Sequence, residues 1–305
     1  MRLLDWSGFI ALWPNVSLVD RVDIDEWLAV QEAAVPNLRP ACAKTVVWAG
    51  EKGVQTDVAV VFIHGFSATY HEIRPLPDLV AKALGANLHF TRLNGHGQDG
   101  TAMGKATLHA WRADVAEALD VAHIIGKRVL IIGCSTGCTL AADALANGTD
   151  VAGLVCVSPN FGLTHRIGQA LLDLPYVRHW GHLIAGKNRS FDVHSDAHGA
   201  YWTTSYPTRA VYPMGDAVRA VRSADLSTIR TPAFFAYNPA DQVVSAKQTE
   251  RVMARWGGRA VGHKLIQGPD DDAMGHVMAG DVFSPAQTEP LVAAILRWFE
   301  ANNGA

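Results

Sequence analysis

The stretch Arg-Val-Leu-Ile-Ile-Gly-Cys-Ser-Thr-Gly (128–137) runs from strand-forming residues into a helical pattern through a serine flanked by glycines. The run 128–132 predicts a strand, and the pattern after Gly133 predicts a helix to about residue 147. A serine in such a strand-to-helix turn presents its hydroxyl above the edge of a parallel sheet, and small neighbours let the backbone pass closely. The stretch therefore predicts an α/β fold with Ser135 as a candidate nucleophile.

The same alternation of strand and helix extends on both sides of this stretch. Helical patterns separate most of the predicted strands and are about 10 to 20 residues long. This arrangement predicts a mostly parallel central sheet flanked by helices on both faces. The predicted strands are 44–50, 57–63, 87–93, 128–132, 151–157, 232–237 and 260–266.

The alternation breaks down between residues 158 and 228, where His, Tyr, Trp, Arg and Pro are frequent. We therefore expect an α/β core made of residues 1–157 and 229–305, interrupted by a cap or lid insertion at 158–228. Residues 1–40 are interpreted as an N-terminal extension, to which the sequence assigns no function.

Composition excludes several classes of protein. The chain has 305 residues, of which 49% are hydrophobic and 18% charged, as in a compact globular protein. A net charge of −3 without a basic cluster argues against nucleic acid as a partner. The four cysteines lack CxxC spacing, so we expect buried free thiols and no metal site. They are Cys42, Cys134, Cys138 and Cys156.

The sequence also bears on location. The apolar N-terminal stretch Leu3–Val19 contains Asp5 and Pro14 and has no small-residue cleavage pattern, so it does not resemble a signal peptide. Elsewhere no run reaches the roughly 18 apolar residues that span a bilayer. We expect no stable membrane insertion and, with free thiols, a cytoplasmic protein. The oligomeric state stays open.

A serine hydroxyl is a weak nucleophile at neutral pH, so it requires a base and a carboxylate that orients the base. In this strand–turn–helix context they follow the serine in the order acid, then histidine, on loops after later strands. Asp241 comes just after strand 232–237, and His276 lies in the loop after strand 260–266. These residues are the predicted acid and base.

Other carboxylates and histidines fit less well. Asp225 precedes its strand, and the run 270–272 qualifies only if its loop folds back towards His276, since three adjacent carboxylates are more often a solvated turn. His263 lies within a predicted strand. Five further histidines lie in the 158–228 segment: His165, His179, His182, His194 and His198.

Acyl transfer develops an oxyanion, which two backbone N–H groups must meet. We predict that Thr136, the residue after the serine, supplies one and that Phe66, in the loop after strand 57–63, supplies the other. Gly65 lets the Phe66 backbone turn inward, and His64 is interpreted as a structural support for this loop. The second glycine-rich loop, 94–98, lacks the G-K-[ST] and G-x-G-x-x-G signatures, so it predicts a structural turn and no cofactor.

Taken together, these motifs resemble the α/β-hydrolase superfamily, and within it the bacterial carboxylesterases and monoacylglycerol lipases, over about residues 44–302. The resemblance implies a Ser-His-Asp triad that hydrolyses a small apolar carboxylic ester through an acyl-enzyme intermediate, without a cofactor. The chain departs from the common family pattern in two places. The residue after the serine is Thr136 where Leu or Met is frequent, and Asn238-Pro239-Ala240 stand before Asp241 where a glycine is common. The matching segments are His64-Gly65-Phe66, Arg92–Gly97, Gly133–Gly137, Asp241–Val244 and Gly275-His276-Val277 with Asp281.

The motifs specify the fold and triad better than the substrate. The same triad also serves thioesterases, acyltransferases, lactonases and carbon–carbon bond hydrolases, and a ligand-binding protein with little turnover is a further alternative. Apolar residues of the 158–228 segment are candidates for an acyl pocket or for ordinary packing. They are Leu171, Leu172, Tyr176, Trp180, Tyr201, Trp202 and Tyr206.

Overall fold

A seven-stranded sheet forms the centre of the protein, seen in a computed structural model that describes residues 23–174 and 176–303. Its strands lie in the order β1-β3-β2-β4-β5-β8-β9, and all neighbours are parallel except the β1–β3 pair. The nine strands of the described residues are β1 (Thr45–Val47), β2 (Thr56–Ile63), β3 (Asn87–Phe90), β4 (Gly126–Cys134), β5 (Gly153–Val157), β6 (Asn188–Ser190), β7 (Ser205–Pro207), β8 (Ala233–Tyr237) and β9 (Ala260–Lys264).

Helices cover both faces of this sheet, as the alternating pattern predicts. Two short 3-10 helices, Thr208–Val211 and Leu226–Thr228, supplement the α-helices. The α-helices are α1 (Ile24–Ala33), α2 (Leu76–Leu84), α3 (Gly100–Met103), α4 (Leu108–Ile125), α5 (Thr136–Ala146), α6 (Arg166–Asp173), α7 (Val177–Ala185), α8 (Asp196–Tyr201), α9 (Tyr212–Ser223), α10 (Ala246–Arg255) and α11 (Pro285–Asn303).

Strand β2 shows why the centre of the sheet is continuously apolar. Its residues alternate between two hydrophobic cores, with Val61 and Ile63 packing among residues of α4 and α5. Val60 and Phe62 point the other way, towards α2 and α11. Because both faces are covered, every residue from 58 to 63 is buried, which explains a run that does not alternate with polar residues.

Element ends differ from the sequence expectations by a few residues. The sequence pattern predicts a helix over about 72–84, whereas α2 begins at Leu76, with Pro75 at its N-cap and a second proline in its first turn. This start agrees with the preference of proline for the beginning of a helix. The sequence also did not predict that β1 runs antiparallel to β3, because hydrophobic periodicity carries no information on strand direction.

Residues 158–228 lie outside the seven-stranded sheet. Their two short strands, β6 and β7, pair with each other. Helix α9 of this segment packs against α5, the helix that follows Ser135. The segment is therefore attached to the core through the helix that directly follows Ser135.

The four cysteines are buried and free. Among the described helices, none has both the length and the apolar character required to cross a bilayer. The apolar stretch Leu3–Val19 lies outside the described residues.

Candidate active site

Ser135 lies in the turn between β4 and α5, with a positive φ of 49° and ψ of −111°. A non-glycine residue rarely adopts this backbone conformation, which costs free energy that the surrounding packing must offset. The flanking glycines allow that packing. A Cβ at Gly133 would lie 2.7 Å from the Cys138 nitrogen, and one at Gly137 would overlap the carbonyl oxygen of Ile63. The turn therefore needs glycine on both sides of the serine.

The structure brings the predicted base to this serine. The Nε2 atom of His276 lies 3.1 Å from Ser135 Oγ, and its Nδ1 atom lies 2.8 Å from Asp241 Oδ2. The three residues follow β4, β8 and β9, and the carboxyl ends of these parallel strands meet at one edge of the sheet. The arrangement can move a proton from the serine hydroxyl to an oriented imidazole.

Asp241 is oriented by its own loop. Its second oxygen, Oδ1, accepts the backbone N–H groups of Val243 at 2.7 Å and Val244 at 2.8 Å. Its side chain is 2% exposed, so the carboxylate has little access to water. These bonds leave Oδ2 to accept Nδ1–H of His276, which makes Nε2 the atom that faces Ser135.

Opposing effects act on the pKa of His276. Burial lowers it, but the hydrogen bond and negative charge of Asp241, followed by the charges of Glu72 and Asp272, raise it above its ordinary value of 6.5. The neutral imidazole is the form that accepts a proton. These surroundings therefore make His276 a stronger base, which stays protonated up to a higher pH.

The alternative acids have other positions. Oδ2 of Asp272 accepts the backbone N–H groups of His276 and Val277, each at 2.8 Å, so this carboxylate holds the histidine loop and not the imidazole. Asp271 accepts from the Gly268 backbone and the Gln287 side chain. Asp225 binds Ser227 at the start of a 3-10 helix. The loop does fold back, but a different carboxylate contacts the ring.

Phe66 and Thr136 have free backbone donors. Within the described residues, neither N–H donates a hydrogen bond to another protein group. The overlap of a Cβ at Gly137 with Ile63 shows that the start of α5 contacts the end of β2, from which the 64–66 loop continues. The two free donors therefore lie on backbone segments that contact each other at Gly137, two residues after Ser135, a placement that suits the stabilisation of an oxyanion.

The ring nitrogens of His64 connect its own loop to the segment after β3. Nδ1 lies 2.8 Å from the Gly65 carbonyl oxygen, and Nε2 accepts the Leu93 N–H at 3.1 Å. Burial lowers the pKa of His64 to about 4, so the ring is neutral at pH 7. Nδ1 then carries the proton that is donated to Gly65. His263, another alternative, lies in β9 and stacks on Phe234.

The 94–98 loop is held by protein groups. The Asn94 N–H donates to Asp114 at 2.6 Å, and its carbonyl accepts Trp111 Nε1–H at 2.9 Å. Arg92 bonds the carbonyl of His96 and pairs at 2.7 Å with the buried Glu32 of α1. The N-terminal region thus supports this turn, a link that the sequence did not indicate.

The 158–228 segment reaches the 64–66 loop through one of the proposed pocket residues. Tyr206 packs edge-on against Phe66, with 5.3 Å between ring centroids, and forms a small apolar cluster with Met103 and Ala210. Tyr201 instead stacks on His71, and Tyr176 is 78% exposed. The seven proposed residues therefore do not form one pocket wall.

Sequence reasoning missed several residues that hold the site. The Ser158 hydroxyl donates to the His276 carbonyl, Glu72 accepts the Gly65 N–H, and the Arg39 side chain bonds Thr203 at 2.6 Å. No motif marks these side chains. The available signals are weak: Ser158 directly follows β5, and Glu72 follows the 64–66 loop closely.

Comparison with known proteins supports the fold. A 101-residue segment is 34% identical to the thermostable monoacylglycerol lipase of Bacillus sp. (strain H-257); it covers 33% of this chain and only 40% of that relative. Among solved structures, one reported for the metagenome-derived lipolytic enzymes LipS and LipT has a TM-score of 0.69 at 18% identity, covering 87% of this chain and 99% of the other.

A second solved structure, the monoacylglycerol lipase of Paleococcus ferrophilus, has a TM-score of 0.61 at 14% identity and covers 85% of this chain and 98% of the other. At such identities these structures establish the fold alone. The sequence profile of the alpha/beta hydrolase family matches residues 60–286, which is more than half of the chain and includes Ser135, Asp241 and His276. The chain therefore belongs to the alpha/beta hydrolase family.

Proposed function

We propose that this protein is a serine hydrolase that cleaves carboxylic esters through an acyl-enzyme intermediate. The observation that carries the proposal is the chain of contacts from Ser135 Oγ to His276 Nε2, at 3.1 Å, and from His276 Nδ1 to Asp241, at 2.8 Å. A serine in this setting is activated as a nucleophile.

In the acylation step, the Ser135 oxygen attacks the ester carbonyl carbon while His276 takes the hydroxyl proton. The backbone N–H groups of Phe66 and Thr136 stabilise the oxyanion of the tetrahedral intermediate. When this intermediate collapses, the bond to the alkoxy group breaks and His276 passes its proton to the leaving alcohol. Asp241 stabilises the imidazolium that exists between the two transfers.

In the deacylation step, water attacks the acyl-enzyme and gives its proton to His276. A second tetrahedral intermediate forms in the same oxyanion site and collapses to release the acid, as the proton returns to Ser135. The cycle needs no cofactor. In the part of the chain that the structure describes, no group of three or more His, Cys, Asp or Glu side chains is placed to hold a metal ion.

The substrate class is proposed as small apolar esters. The curated relative is named as a monoacylglycerol lipase, and the similar structures are those of lipolytic enzymes. Phe66, a partly buried ring that packs on an apolar cluster of Met103, Tyr206 and Ala210, supports apolar surroundings for the acyl group beside the oxyanion donors. We further propose that residues 158–228 form a cap over a core of 1–157 and 229–305, and that the buried free thiols reflect a cytoplasmic location.

A fluorophosphonate probe tests the proposal, because it forms a covalent adduct with an activated serine. We expect labelling of the wild type and of Ser223→Ala, an exposed control on α9, and no labelling of Ser135→Ala. Steady-state rates on a chain-length series of p-nitrophenyl esters, an acyl-CoA and a lactone then identify the preferred acyl compound. Equal labelling or equal ester hydrolysis by Ser135→Ala would overturn the proposal.

A further inference from the structure

Glu72 is a buried carboxyl group that the reaction above does not use. It is 3% exposed and lies between the 64–66 loop and α2. The neighbouring Arg74 pairs with Asp78 rather than with Glu72. Burying a carboxyl group away from water costs several kcal/mol unless the group is well bonded. A position with this cost calls for a structural or functional reason.

The carboxyl group packs directly on Gly65. Oε2 of Glu72 accepts the Gly65 N–H at 2.6 Å. A Cβ at position 65 would lie 2.5 Å from Oε1 and 3.0 Å from Oε2, so the contact exists because this residue is glycine. The carboxyl group therefore occupies the space beside the loop backbone that a side chain would fill.

Two side chains hold Gly65 from opposite sides. Glu72 accepts its N–H, while His64 Nδ1–H donates to its carbonyl oxygen at 2.8 Å. That carbonyl and the Phe66 N–H belong to one peptide group, which is planar, so fixing the oxygen also fixes the direction of the N–H. Holding the preceding N–H restricts the rotation of Gly65, the most flexible type of residue.

Glu72 is also close enough to the catalytic histidine for their charges to interact. Burial raises the pKa of Glu72, and the Gly65 hydrogen bond, the charge of His276 and the Cys134 side chain each lower it. In return, the Glu72 charge contributes to the raised pKa of His276. Glu72 thus faces the site and not a distant part of the core.

We propose that Glu72 is a positioning residue that holds the Gly65–Phe66 peptide with its N–H directed at the substrate oxyanion. This inference rests on the proposed function. The role requires only an acceptor at the position of Oε2, which a glutamine carbonyl also supplies. Methionine, of similar size, leaves the Gly65 N–H without a partner, and aspartate is one methylene too short to reach it.

The test compares Glu72→Gln, Glu72→Met and Glu72→Asp on a short p-nitrophenyl ester. The affinity of a trifluoromethyl ketone is measured as well, because its adduct with serine places an oxyanion in the same site. Removing an oxyanion donor lowers kcat about 100- to 1,000-fold, so we expect a misdirected donor to lower it about 10- to 100-fold. The Met and Asp variants should show this loss, with KM within about twofold and a parallel loss of ketone affinity.

Glu72→Gln should keep kcat within about threefold of the wild type, since it retains the acceptor. Asp143→Asn is the matched control, because Asp143 is also a buried carboxylate but binds Arg112 of α4, at 2.7 Å, instead of the 64–66 loop. We expect wild-type kcat and ketone affinity for this control. Thermal melting shows which variants are folded.

Wild-type kcat and ketone affinity in Glu72→Asp, or an equal loss in the Gln and Asp variants, would overturn the inference. If Glu72→Met does not fold, the Gln and Asp variants decide. Failure of the proposed function gives a different result, because Ser135→Ala would then still hydrolyse the ester. An inactive Ser135→Ala beside a fully active Glu72→Asp contradicts only the role of Glu72.

Discussion

The backbone N–H of Thr203 donates to the carbonyl oxygen of Ser67 at 2.7 Å, which joins the 158–228 segment to the residue after Phe66. The Thr203 side chain in turn accepts from Arg39 and donates to the Gln98 carbonyl at 3.1 Å. The segment and the 64–66 loop are therefore mechanically connected, and Arg39 of the N-terminal region supports the connection.

Replacing Arg39 by alanine should loosen this connection. The Arg39 side chain donates to the carbonyl oxygens of Ala200 at 3.0 Å, Trp202 at 2.9 Å and Gln98 at 2.8 Å, and charged donors make comparatively strong hydrogen bonds. We expect Arg39→Ala to lose about 2 kcal/mol of stability in urea unfolding, and to be cleaved faster within residues 158–228 by trypsin under native conditions. Arg251→Ala, an exposed position on α10, is the control and should change neither the stability nor the rate of cleavage. The same stability and cleavage rate in both variants would refute the role of Arg39.

The pH profile should follow the titration of His276. Its pKa is raised above 6.5, and its neutral form is the base, so kcat/KM should fall as the pH drops through a value above 6.5. In Asp241→Asn the hydrogen bond and charge that most raise the pKa of His276 are removed, while burial still lowers this pKa. We therefore expect about a 10,000-fold lower kcat and an acid limb displaced to lower pH. Measurements of kcat/KM from pH 5 to 9 test this prediction. An acid limb at the same pH in Asp241→Asn and the wild type would contradict the role of Asp241. Asp270→Asn, at an exposed position, is the control.

Asp272 should matter through the backbone of the histidine loop. Asp272→Ala removes the acceptor of the His276 and Val277 N–H groups, so the imidazole loses part of its support while Asp241 remains. We expect kcat to fall about tenfold or more, because small displacements of a catalytic group lower rates strongly. Asparagine retains an acceptor oxygen, so Asp272→Asn should recover most of the rate. Equal rates for the alanine variant and the wild type would show that the loop is held by other contacts.

Gly137→Ala should prevent the normal turn around Ser135. The added Cβ overlaps the Ile63 carbonyl oxygen, which belongs to a central strand and cannot move away easily. We expect a loss of soluble protein, or a melting temperature lower by about 10 °C or more together with loss of fluorophosphonate labelling. A Cβ at Gly50 would meet no atom within 4 Å, so Gly50→Ala is the control and should behave as the wild type. A normally folded, fully labelled Gly137→Ala would show that the turn tolerates a side chain.

The order of the elements could be predicted because it depends on local patterns. The apolar run of β2 and the alternation of strands with helices both reflect burial on two faces of a parallel sheet, and this fold prediction is confirmed. The antiparallel direction of β1 could not be predicted in this way, since an edge strand of three residues has almost no periodic pattern.

The same distinction between local patterns and tertiary contacts applies to the candidate site. Ser135, Asp241 and His276 could be named as candidates because each follows a strand, and parallel strands end at one edge of the sheet. Their catalytic roles stay predictions that the labelling and rate experiments test. Glu72 and Arg39 could not be named, and Asp272 was named only as an alternative acid, because each bonds a backbone group of a loop and no sequence period marks such a partner.

By itself, the sequence of this protein predicted the strands of the central sheet and the alternation of strands with helices, since burial imposes regular spacing on apolar residues. It also named candidate side chains that follow these strands. Only the tertiary structure decided which carboxylate contacts the imidazole, which contacts the histidine loop and which contacts Gly65. The physical reason is that hydrogen bonds depend on distances of about 3 Å, and irregular loops set those distances through the whole fold.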